Sequence, residues 1–252
     1  MTRGFATLSG APPIIIAHRG ASGERPEHTL ASYTLAIDQG AEYIEPDLVL
    51  TRDGVLVARH ENAIGGTTDV ADHPEFADRR ATKRIGGQEV TDWFTEDFTL
   101  AELRMLRARE RLPQLRPGNA RFDGLFPIPT FDEILELARA RSAADGRRIG
   151  VYPETKHPSY FDQIGLPHEG ALLSALSRYG FDGADDPVFI QSFEVGNLEA
   201  LHRKTAIRLI QLVDASGHPA DRPDLSDADM MQPEGLAAVA RYASGIGPAK
   251  DM

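Results

Sequence analysis

The residues able to do chemistry gather at a few places in the chain: His18-Arg19, Glu45-Pro46-Asp47, His60 and Glu154-Thr155-Lys156. Glu45 and Asp47 are two positions apart, so on an extended strand both side chains leave from one face. Carboxylates held together on a buried face repel, and they stay ionised only beside a cation. Glu154 supplies a third. Three hard oxygen donors in a chain without cysteine suit Ca2+ or Mg2+ better than zinc. Histidine is the natural general acid and base near neutral pH, which makes His18 and His60 candidates for that work. Arg19 and Lys156 offer positive charge to a phosphoryl group. Taken singly, a Glu-x-Asp pair reads as a solvated strand face and a lone histidine as structural. Their shared placement is what argues for a site. The remaining histidines, His28, His73, His157, His168, His202 and His218, read as loop or helix-surface residues, with His157 near enough to Lys156 to matter.

That placement follows from the elements. Each candidate lies at or near the C-terminal end of an extended segment. The β-branched run Ile14–Ala17 ends at His18, and Tyr43–Leu50 carries Glu45 and Asp47. Val55–Ala58, after a Thr51-Arg52-Asp53-Gly54 turn, ends at Arg59-His60, and Ile149–Tyr152 ends at Pro153-Glu154. Further strands are expected at Val188–Ile190, ending at Gln191-Ser192-Phe193, at Ile207–Val213 and near Gly245. Helical patterns run from Pro26 to about Gln39, Thr130 to Ala144, His168 to Tyr179, Glu194 to Lys204 and Pro233 to Tyr242. Strands alternating with helices predict a parallel α/β sheet, and at this length a barrel whose strand ends converge on one mouth. Residues 61–127 break the rhythm and read as an insertion, with one short helix at Leu100–Arg107 and Trp93 and Phe94 as its small core. About six barrel strands are legible where a closed barrel needs eight, which predicts a barrel truncated after the sixth, an open sheet with two unpaired edges.

Composition bounds the partners. The chain has 252 residues, a formal net charge of −11, 41% hydrophobic and 26% charged residues, all ordinary for a folded soluble domain. Its acidity argues against a general nucleic-acid surface. The lack of cysteine excludes disulfides and thiolate chemistry. No run approaches the ~20 apolar residues of a membrane span. The stretch Met1–Pro13 has no apolar core of a signal peptide, so the expectation is either a cytoplasmic protein or a targeting segment outside this chain.

The ordered set Ile16-Ala17-His18-Arg19-Gly20-Ala21, Pro26-Glu27-His28-Thr29, Glu45-Pro46-Asp47, His60 and Tyr152-Pro153-Glu154-Thr155-Lys156 resembles the glycerophosphodiester phosphodiesterase family over about residues 13–248. Thr67-Thr68-Asp69-Val70 and Asp97-Phe98-Thr99-Leu100 are similar to the longer insertion of its bacterial periplasmic branch. The resemblance implies a TIM (β/α)8-type barrel as a single domain over 1–252, with an inserted subdomain at 61–127. It implies a divalent ion on Glu45, Asp47 and Glu154, an acid/base pair in His18 and His60, and phosphate contacts from Arg19 and Lys156. Gln191, at the family's Gln-Ser-Phe position, is a weaker candidate. The implied reaction is hydrolysis of a glycerophosphodiester to sn-glycerol 3-phosphate and an alcohol, in a periplasmic or secreted setting. The competing readings are a barrel phosphodiesterase acting on lysophospholipid or sphingomyelin head groups, and an inactive phosphate-binding fragment. Two departures stand out. Glu61 occupies the place where the family has Asp after its second histidine, and the family continues past this point with two more strands, one usually bringing a Trp to the mouth, so the chain is expected to be C-terminally incomplete.

Overall fold

The computed structural model describes residues 12–250, with Thr7 and Gly10 ahead of them. The N-terminal stretch read above for a signal peptide lies largely outside the described residues, as do Asp251 and Met252. The scaffold is a parallel sheet laid down in chain order: β1 (Ile16–His18), β2 (Tyr43–Glu45) continuing into β3 (Asp47–Leu50), with β4 (Leu56–Ala58) folded back antiparallel on β3. After the insertion, which contains the hairpin β5 (Ala81–Ile85) and β6 (Gln88–Asp92), come β7 (Gly150–Val151) and β8 (Glu154–Thr155). β9 (Phe189–Ser192), β10 (Arg208–Val213) and β11 (Gly245–Pro248) complete it. β2–β3 and β7–β8 are each one strand interrupted by a proline, Pro46 and Pro153. Proline has no N–H to give the ladder, but its carbonyl still serves: Glu154 N–H donates to Pro46 O and Gln191 N–H to Pro153 O, both at 2.9 Å. Among the described residues β1 pairs only with β2 and β11 only with β10, so the sheet has two open edges there. Helices follow the strands in the (β/α) barrel manner, and no described helix is long and apolar enough to cross a membrane.

Register is what this scaffold contributes to function. His18 lies opposite Glu45, Asp47 opposite Glu154, and Glu154 opposite Gln191. One row across neighbouring strand ends therefore carries most of the predicted chemistry. A single core spans the sheet and its helices, including Ile44, Leu48, Val151 and Ile190 from strands and Ile37, Phe131, Leu172 and Leu198 from helices. The helix Phe131–Asp145 shows how local sequence sets a boundary. Thr130 Oγ1 accepts from Glu133 N–H while Glu133 accepts from Thr130 N–H, and Gly146 ends the helix at φ 66°.

Three expectations change. The helix expected from Pro26 starts at Leu30, behind a Thr29 cap. The carbonyls of Glu27 and His28 are taken instead by the buried guanidinium of Arg59, at 3.0 and 3.3 Å, and His28 sits at φ 56°, outside helical space. The first strand starts at Ile16, leaving Ile14 and Ile15 exposed, because the amides of Glu42 and Tyr43 both converge on Ile15 O. In the insertion the helix expected over Leu100–Arg107 stops at Leu103. Val70, Phe76, Phe98, Leu103 and Leu106 join the main core, so the insertion packs onto the barrel. Phe94 is fully buried, and Trp93 packs at the core margin with Nε1–H donating to Phe76 O at 2.7 Å.

Candidate active site

A cleft of about 450 Å3 opens at the C-terminal ends of the strands. His18, Arg19, Glu45, His60, Glu154, Lys156 and Gln191 all line it. Asp47, wholly buried, sits behind them. Oxygens of Glu45, Asp47 and Glu154 lie within 4.8 Å of one another, so the Glu-x-Asp pair and the distant glutamate converge as the spacing predicted.

The electrostatics of the trio are those of a site built for positive charge. Burial, reinforced by Asp47 and Glu154, pushes the Glu45 carboxyl well above its ordinary value. Burial likewise pushes Glu154 up to about 8, against the pull of the Lys156 ammonium. Burial opposes ionisation of Asp47 too, yet the hydrogen bond from His28, with the Lys156 charge nearby, holds its carboxyl well below the usual range. Three carboxylates this close cannot all ionise without a cation. One oxygen, Asp47 Oδ1, is buried with no hydrogen-bond partner. A buried acceptor is normally satisfied, and a spare oxygen on one member of an all-oxygen trio is what a hard divalent ion would use. The donor set fits such an ion.

The supporting contacts are specific. Gln191 Nε2 donates to Glu45 Oε1 at 3.0 Å, and Arg19 N–H donates to Glu45 Oε2 at 2.9 Å. Lys156 Nζ donates to Glu154 Oε1 at 2.7 Å and reaches His60 Nε2 at 3.3 Å. The Arg19 side chain lies against Asp47 and Glu27, at 3.3 and 3.4 Å. Gly20, at φ 79°, makes the tight turn behind it: a Cβ there would stand 2.4 Å from Ser32 Oγ. His18 is exposed at the rim, and desolvation in the cleft together with the Arg19 charge lowers its pKa. His60 is tied down, its Nδ1–H donating to Glu61.

Several functional neighbours escaped the sequence reading. His28, expected on the surface, is completely buried. Its Nε2–H donates to Asp47 Oδ2 and its Nδ1 accepts from Tyr33 O–H, both at 2.8 Å. Burial lowers its pKa to about 4, so it is neutral and positions Asp47. His168, also expected on the surface, is buried and hydrogen-bonded to Leu48 O. Its position at the start of a helix concealed that the helix packs on the sheet. Arg59, fully buried, is held by backbone carbonyls alone. Arg111, deep in the insertion, reaches Glu27 and Glu61. Arg19, His28 and His157 are the non-glycine residues with left-handed backbone among those described, and each adjoins a site residue.

A model of the glycerophosphoryl diester phosphodiesterase family matches residues 18–245. A glycerophosphodiester phosphodiesterase of Arabidopsis thaliana is 36% identical over 256 residues, covering 97% of this chain and 67% of the relative. Among solved structures, a glycerophosphoryl diester phosphodiesterase from Silicibacter pomeroyi superposes with a TM-score of 0.69 at 22% identity, over 94% of this chain and 76% of that one. An Oleispira antarctica phosphodiesterase, solved in complex with the product sn-glycerol-3-phosphate, gives 0.62 at 22% identity over 94% and 74%. These barrels share the fold, and the match of sequence over nearly the whole chain says the rest: this chain belongs to the glycerophosphoryl diester phosphodiesterase family.

Proposed function

We propose that the chain hydrolyses glycerophosphodiesters to sn-glycerol 3-phosphate and an alcohol, using one Ca2+ or Mg2+ held by Glu45, Asp47 and Glu154. The observation that carries this reading is the buried carboxylate trio, within 4.8 Å and with Asp47 Oδ1 unpartnered, set in the same cleft as His18 and His60. The Arabidopsis relative and the product held by the Oleispira enzyme support the choice of substrate class.

When bound, the ion would supply charge neutralisation at the phosphoryl group and polarise an oxygen on phosphorus. Every other role falls to the chain itself. Arg19, beside Asp47, and Lys156, on Glu154, add positive charge for the phosphoryl oxygens. One histidine takes the proton from the attacking oxygen and the other returns a proton to the departing alcohol, so the two imidazoles finish with their states exchanged. His60 does its part at Nε2, because Nδ1–H is committed to Glu61. His28 and Gln191 hold Asp47 and Glu45 in place.

The test is release of glycerol 3-phosphate from glycerophosphocholine by the full chain, with added Ca2+ or Mg2+ and with EDTA. Metal-dependent release supports the proposal. No release with either metal, or undiminished release in EDTA, overturns it.

A further inference from the structure

We infer that Arg111 is a positioning residue for the acid/base step, acting through Glu61 to fix the state of His60. The inference deepens the reading above and rests on it for the identity of the reaction. Arg111 stands 84 residues from Glu27 and 50 from Glu61, yet it bridges them. Its Nε and Nη2 make a two-point contact with Glu27, at 3.0 and 2.6 Å, and its Nη1 meets the two oxygens of Glu61 at 3.0 and 2.8 Å.

Each end of the bridge leads to the site. Glu61 accepts Nδ1–H of His60, and among the described residues its only ion-pair partners are His60 and Arg111. The Glu61 side chain is 36% exposed, so without Arg111 its one remaining ion-pair partner among the described residues is His60 itself, the ring it has to orient. Glu27, by contrast, is buried, and its Oε2, which accepts from Arg111 Nε, also meets Arg19. Two carboxylates flanking one guanidinium would repel each other if it were removed. A guanidinium presents donors in a planar fork that can serve both, whereas a lysine ammonium is a point donor on a flexible stem.

The arm that carries Arg111 is itself fixed. Buried Glu110 accepts from Leu112 N–H and from Arg116, and forms a short hydrogen bond with Asn119. Arg116 and Asn119 in turn both donate to Ser22 O, in the loop that follows His18. A rigid arm therefore sets the guanidinium, the guanidinium sets Glu61, and Glu61 sets the imidazole. The consequence is chemical. With Nδ1–H committed, the proton moves at Nε2, the nitrogen facing the cleft beside Lys156.

The experiment uses the full chain and three variants, Arg111→Met, Arg111→Lys and Glu61→Gln. Two readouts are taken: steady-state kinetics on glycerophosphocholine, and the tautomer of His60 by nitrogen-15 NMR, assigned with His60→Gln. Arg111→Met is expected to lower kcat roughly ten- to hundredfold with KM changed less than about twofold, and to convert the His60 signal from a single Nδ1–H form to a mixture. Arg111→Lys is expected to restore part of both, and added guanidinium to raise kcat of Arg111→Met. Glu61→Gln, which keeps the shape and loses the charge, is expected to reproduce the tautomer mixture. Wild-type kcat in folded Arg111→Met, or loss of melting temperature with kcat per folded molecule and the His60 signal unchanged, overturns the inference and leaves Arg111 a structural brace. If the wild-type chain releases no glycerol 3-phosphate, the reaction reading fails, and the tautomer readout still decides the role of Arg111.

Discussion

The two histidines of the cleft are held in opposite ways. His60 is gripped from both sides, Nδ1 by Glu61 with Arg111 behind it, Nε2 by Lys156. His18 stands at the rim, and among the described residues its ring has no hydrogen-bond partner. One imidazole is preorganised and the other is free to meet solvent and substrate. The difference teaches that the histidines do not need equal scaffolding. The fixed one sets geometry through a second layer of charged residues, and the free one depends on what enters the cleft.

The most drastic way to break this contrast is to remove the divalent ion proposed for the carboxylate trio. Chelation with EDTA should abolish measurable turnover with both rings intact, and added Ca2+ or Mg2+ should restore it. Activity that persists in EDTA would assign the chemistry to the histidines alone. Next in size are the rings themselves. His60→Ala and His18→Ala should each lower kcat by at least ~10²-fold, the usual scale for general acid–base help. The contrast predicts a further split. Imidazole added to the buffer should partly rescue His18→Ala, whose place is open to solvent, and should leave His60→Ala unrescued. Equal rescue of both would end the comparison.

A third histidine sharpens it through stability. His168 is buried and neutral, its pKa lowered to about 4 by burial. Between pH 6.5 and 4 the unfolded chain binds a proton that the folded chain refuses, so stability falls as pH falls through that window, by up to about 3 kcal/mol. His28, lowered to about 4 in the same way, adds to the slope. Urea unfolding at pH 7, 5.5 and 4.5 should show the loss, and His168→Gln should make it shallower. An unchanged slope would contradict the buried-neutral assignment. The smallest effect is expected at Gln191, whose loss as alanine removes one donor from Glu45, on the order of 1 kcal/mol. Weaker metal binding in a calorimetric titration, with the His60 tautomer untouched, would separate the carboxylate side of the cleft from the imidazole side.

Local pattern carried much of this into the sequence. Residues 45 and 47 share a face because strands have a period of two, and the strand ends share a mouth because the sheet is parallel. So Glu45, Asp47, Glu154, His18 and His60 were legible as neighbours: all but Asp47 line the cleft, and Asp47 lies behind it with its oxygen close to those of Glu45 and Glu154. What stayed hidden depends on contacts across long stretches of chain. Arg111 looked like one arginine among several in the insertion, since nothing near it in sequence reveals that Glu27 and Glu61 await it. His28 sat in what reads as a helix start, Pro26-Glu27-His28-Thr29. The backbone there is claimed by Arg59, and the ring turns inward to Asp47. Propensity and capping signals yield when a buried guanidinium takes the carbonyls a helix would use.

The left-handed backbone at Arg19, His28 and His157 bears on laboratory evolution of this fold. Each position asks an L-residue to adopt a conformation that glycine takes freely, at a strain on the order of 1 kcal/mol. A library screened for heat resistance would still not settle on glycine at residue 28, where it would exchange that strain for an empty space in the core and an Asp47 without its donor. At residue 19 it would strip the cation from two buried carboxylates. These codons should therefore keep their side chains in such a library, and the strain persists because what the side chains hold in the cleft outweighs it.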